Sequence, residues 1–181
     1  MTVSLEDTSG SPLVTAEHLA ELTDLTAFLY AGLGLGVEVE LAITLVDEAE
    51  MERLHLEWMD LPGPTDVMSF PMDELTPGTS HSPVETGMLG DVVICPAVAQ
   101  SQATAAGHPL SDEMCLLTTH GVLHLLGYEH HDADSRTEMF TLQKQLLEDF
   151  LGHAAPVPTE TDSGPADNGP ADTGPSPRGE R

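Results

Sequence analysis

Three histidines fall within one short run, residues 120–130 (HGVLHLLGYEH), at a spacing that suits a single metal ion. His120 and His124 are four residues apart, which on a helix puts both imidazoles on one face, one turn apart. Gly127 can take the left-handed backbone that ends a helix, and that turn carries His130 back toward the other two. Three neutral imidazoles leave one tetrahedral position open for water, the layout of a catalytic zinc site. A structural zinc site normally takes four protein ligands, usually with cysteines among them. One Zn2+ per chain is therefore the expected cofactor. His131 would replace His130 only if the turn were one residue longer, and the spacing from Gly127 favours His130.

The same run can be set against the zinc-peptidase pattern H-E-x-x-H-x-x-G-x-x-H. Every element is present except the glutamate that acts as general base, which is Gly121 here. The scaffold can bind metal but lacks the group that drives peptide hydrolysis. A metal-bound imidazole also needs an acceptor that holds its tautomer. Glu129, Asp132, Asp66 and backbone carbonyls are the candidates, and none has a spacing that singles it out.

The elements that must position these residues read as an α+β fold. Residues 3–7 form a short strand, and the apolar stripe of 16–33 forms a helix capped by Thr15 and ended by Gly32 and Gly34. Residues 37–46 alternate like a half-buried strand. Asp47 caps a helix over 48–58, and 66–70 and 90–94 are two further strands. Pro96 opens a helix that ends near Gly107. Ser111 caps the histidine helix, and a last helix covers 138–151. The whole is a small mixed four-stranded sheet covered by helices, one of them a zincin-like histidine helix. Trp58 reads as a core residue of its amphipathic helix, with stacking on a base as the alternative. Asp132 and Asp134 read as caps of the last helix.

Two more stretches, 64–71 (PTDVMSFP) and 89–96 (LGDVVICP), precede the histidine run. Over about residues 3–152 the chain resembles the YbeY family of bacterial endoribonucleases. The resemblance implies a single-strand-specific, zinc-dependent endoribonuclease acting in 3′-end maturation of 16S ribosomal RNA and in late ribosome quality control. It maps the metal ligands onto His120, His124 and His130, and makes Thr65 and Asp66 candidates for the border of the site. Its implied partners are the 16S rRNA precursor, the small ribosomal subunit and an assembly GTPase. Many members carry an arginine shortly before the Pro-Thr pair. Met59 stands there in this chain and cannot donate hydrogen bonds to phosphate. Arg53, two helical turns earlier, substitutes only if its helix points that way. Two other classes stay open: a non-catalytic zinc-binding ribosome-assembly factor, and another metal hydrolase such as a peptidase.

The charge runs against a nucleic-acid substrate. The 181 residues hold 31 acidic and five basic side chains, for a net charge of −26. In residues 1–155 the only Arg and Lys are Arg53, Arg136 and Lys144, where RNA-binding proteins usually show a basic patch. Salt screening and the charge of a bound metal both soften the repulsion. No apolar run approaches the roughly 20 residues of a membrane span, and the N-terminus lacks the pattern of a signal peptide. Cys95 and Cys115 read as buried thiols in a reducing cytoplasm. Residues 1–155 are the expected endoribonuclease domain. Residues 156–181, rich in Pro, Gly, Ala and Asp, are an expected disordered acidic tail.

Overall fold

The computed structural model describes residues 1–158, so the expected tail lies outside the described residues except for its first three positions, where Pro156 is buried. The elements are β1 (Thr2–Asp7), α1 (Ala16–Gly32), β2 (Leu35–Leu45), α2 (Glu48–Met59), β3 (Val67–Pro71), β4 (Val84–Ile94), α3 (Pro96–Ala106), α4 (Leu110–Leu125) and α5 (Ala133–Leu151). The four strands form one mixed sheet in the order β1-β2-β4-β3. β1 and β2 run parallel, as do β2 and β4, while β3 runs antiparallel to β4 along the free edge. This is the expected α+β architecture.

Alternation along the strands splits the apolar side chains between two faces. Val39, Leu41, Ile43 and Leu45 of β2, with Val92 and Ile94 of β4, join the larger core with α1, α4 and α5. The opposite side chains Met68 and Val93 meet Val46, Met51 of α2 and Cys95 in a smaller core. α4 is the central helix, with all but three of its side chains buried. Both cysteines are buried free thiols.

Several boundaries differ from the sequence expectation. α4 begins at Leu110 behind Pro109, whose φ of −70° and ψ of 157° turn the chain into the helix without a side-chain cap, so Ser111 lies inside the first turn. α5 begins at Ala133 rather than 138. Asp132 accepts from the Ser135 N–H and Ser135 answers with its own side chain, a reciprocal cap. β4 starts at Val84, six residues early, because pairing with β2 continues past an irregularity at Gly90. Thr15 and Asp47 cap α1 and α2 as expected.

Candidate metal centre

The last turns of α4 carry His120 and His124, and the chain then reverses. Gly127 has φ of +88°, its N–H bonds the His124 carbonyl at 3.0 Å, and the Tyr128 N–H bonds the Leu123 carbonyl at 3.1 Å. That pair of bonds is a Schellman turn, which needs a left-handed residue where Gly127 stands. It brings His130 to the helix face: the ring of His130 lies 5.8 Å from that of His120 and 5.2 Å from that of His124. One nitrogen from each of the three lies within 4.8 Å of the others. His131 points instead to Glu129, 3.3 Å away, and is mostly exposed.

The partners of the imidazoles settle what each ring offers. His120 Nδ1 donates to the Gln143 side-chain oxygen at 2.8 Å, and His124 Nδ1 donates to the Tyr128 carbonyl at 2.9 Å. A carbonyl accepts only, so each Nδ1 carries the proton and each Nε2 keeps a lone pair. The two Nε2 atoms are 2.9 Å apart. Two lone pairs at that separation repel unless a cation lies between them, and a borderline ion that favours imidazole suits the set. Burial, and then the His124 ring, push the His120 pKa down to about 4 against the opposing Gln143 bond. Burial also lowers the His124 pKa, opposed by the charge of Glu129 and by the Tyr128 bond. Both rings therefore stay neutral and able to bind metal at neutral pH. Phe140 of α5 walls the cluster, 6.0 Å from both the His120 and His130 rings.

Gly121 faces the sheet and not the cluster. A Cβ there would meet Val92 Cγ1 at 2.8 Å and Ser69 Oγ at 3.1 Å. The position at which the zinc-peptidase pattern needs its glutamate has no room for one.

The other candidates make local contacts of their own. Thr65 and Asp66 are buried, and an Asp66 carboxylate oxygen accepts from the Val67 N–H at 2.7 Å and the Thr65 hydroxyl at 3.3 Å. The charge of Asp66 acts on Glu113, whose pKa is raised chiefly by burial and which pairs with His108. Glu113 lies in the opening turns of α4, about 10 Å along the axis from His120. Asp132 caps α5, and its bonds from Ser135 hold its carboxyl below the usual range. Met59 packs against the smaller core. Arg53 is exposed and pairs on its own helix with Glu50 and Glu57, each at 2.7 Å. Trp58 is 62% exposed and stands edge-on to Phe70 at 5.6 Å, so it is not a core residue.

Gln143 was not foreseen. It is 1% exposed on a stripe of α5 shared with Met139, Leu146 and Leu147. A lone amide at a core position was the available signal, because a buried polar group needs a partner.

The chain is similar to known proteins over most of its length. The family model described as Endoribonuclease YbeY matches residues 6–151. "Endoribonuclease YbeY" of Paenarthrobacter aurescens is 54% identical over 157 residues, 87% of this chain and 99% of that one. The protein of the same name from Micrococcus luteus is 56% identical over 141 residues, 78% of this chain and 89% of that one. The solution structure of TM1509 from Thermotoga maritima shares the fold, with a TM-score of 0.56 at 23% identity, over 83% of this chain and 90% of that one. A histidine cluster that could hold a metal ion, in a chain whose residues 6–151 match the family model and which is 54% identical to a curated relative over 87% of its length, places the chain in the YbeY endoribonuclease family.

Proposed function

We propose that residues 1–155 form a zinc-dependent endoribonuclease domain that cuts single-stranded RNA. In this reading it trims the 3′ end of the 16S rRNA precursor on the small ribosomal subunit, in the cytoplasm, and takes part in late ribosome quality control, with an assembly GTPase as a further partner. The observation that carries it is the pair of Nε2 lone pairs facing each other at 2.9 Å beside His130. The names of the curated relatives support RNA as substrate. Among the described residues no helix is long and apolar enough to cross a membrane.

His120, His124 and His130 would hold the ion. When bound, it supplies Lewis acidity, polarising a phosphate oxygen and bringing the ionisation of water toward neutral pH. The chain's own residues prepare the site. Gln143 and the Tyr128 carbonyl orient two rings and fix their tautomers, burial keeps those rings neutral, and Phe140 excludes water from one side.

A peptidase is disfavoured by the closed space at Gly121. The second reading is a zinc-binding assembly factor without catalysis, favoured by Met59, which packs against the smaller core where the family arginine would stand, and by the scarcity of cations. The test measures metal content and single-stranded RNA cleavage on one preparation beside His124→Ala. About one zinc per chain with cutting, both lost in a folded variant, supports the nuclease. Bound zinc without cutting at any salt concentration supports the assembly factor.

A further inference from the structure

We propose that Arg136 is the residue that grips an RNA phosphate beside the histidine cluster; this rests on the reading of the chain as an RNA-cutting enzyme. The guanidinium of Arg136 lies over the Phe140 ring, 5.4 Å from its centroid. The same ring packs 6.0 Å from His120 and 6.0 Å from His130. One aromatic side chain thus ties a permanent cation to two of the three imidazoles. Arg136 is exposed in the second turn of α5, and its five N–H donors in a planar fork allow it to keep a neighbour and still take a phosphate.

Charge makes this position matter. The described residues hold two other Arg or Lys side chains, Arg53 and Lys144. Arg53 stands on α2, and Lys144 lies two turns beyond Arg136 on α5. Glu129, Asp132 and Asp134 flank the cluster in sequence, so an approaching polyanion meets repulsion there. A bidentate guanidinium–phosphate contact is the strong kind of ionic hydrogen bond and orients the phosphate as well as attracting it.

The test uses the full chain, with zinc content and melting temperature measured for wild type, Arg136→Gln and Arg136→Lys. Cleavage of a single-stranded RNA oligonucleotide is followed at several salt concentrations, and its binding is measured by fluorescence anisotropy on the His124→Ala background. Arg136→Gln should lower kcat/KM about ten- to hundredfold with zinc and melting temperature unchanged, and Arg136→Lys should recover part of the loss. The slope of log affinity against log salt should become more positive by about 0.7, the share of one phosphate contact on a single strand. If wild type cuts RNA and Arg136→Gln cuts and binds as well, the inference fails alone. Loss of zinc or of melting temperature in step with activity assigns Arg136 a structural role and also overturns it. Failure of the wild type to bind or cut RNA overturns the nuclease reading and takes this inference with it.

Discussion

At the scale of single residues, the cluster depends on groups that bind no substrate. The Gln143 oxygen accepts a hydrogen bond from His120 Nδ1, so Gln143→Leu keeps the packing volume and removes the acceptor. Supports of this kind change metal affinity by about 10–100-fold. Zinc affinity measured by chelator competition should fall by that range in Gln143→Leu and far less in Gln143→Glu. Equal affinity in all three proteins would mean that the ring is oriented by packing alone. The low pKa of His120, about 4 against an ordinary 6.5, gives a second test. Between those values the unfolded chain takes a proton that the folded site refuses, so stability is fully present above about 6.5 and is lost as pH falls toward 4. Metal-stripped protein should melt at progressively lower temperature across that window, and His120→Gln should flatten the slope. A melting temperature of the stripped wild type that does not change with pH would count against a buried neutral ring.

At the scale of elements, α4 serves the core and the site at once. Gly121 lets it approach the sheet, where an added methyl would meet Val92 at 2.8 Å. Gly121→Ala should therefore destabilise the protein by about 1–3 kcal/mol in urea unfolding. Combined with Val92→Ala it should lose less than the two single changes together, because each relieves the other; strict additivity would show that the contact is not tight. The histidine run and the helix that carries it were legible because a period of four and a terminal glycine each have one geometric meaning. What was not legible depended on partners distant in sequence. The first half of β4, with Gly87 and the irregularity at Gly90, shows no alternation until β2 lies beside it. The first turn of α5 is polar, and its cap, not an apolar stripe, defines it. Trp58 reads as core in the sequence because it sits on an amphipathic helix. Yet α2 buries only Met51 and His55 beneath it, and Leu56 and Trp58 stay outside, 54% and 62% exposed. As the single tryptophan of the chain, it offers a check. Its fluorescence should be readily quenched by acrylamide in the native state and shift little on unfolding.

For the whole molecule, the net charge of −26 sets the sign of its response to salt. A protein that holds RNA by many Lys and Arg contacts loses affinity as salt rises, because counterions must be released from each phosphate. Here general repulsion between two polyanions outweighs the few local attractions of an ion at the cluster and of Arg136. Screening weakens that repulsion, since the Debye length shortens from about 10 Å at 0.1 M salt to about 3 Å at 1 M. The contacts at the cluster act over shorter distances and in partly buried surroundings, so they lose less. The value of kcat/KM on single-stranded RNA should therefore rise as KCl is increased from about 0.05 to about 0.5 M, the reverse of the usual behaviour. A profile that falls with salt would locate a cationic surface in the segment beyond residue 158 or on a partner. Removing residues 159–181, which contain the remaining two basic side chains, Arg178 and Arg181, among many acidic ones, tests the first source. If the tail only adds to the repulsion, its removal raises activity at low salt and leaves activity at high salt unchanged.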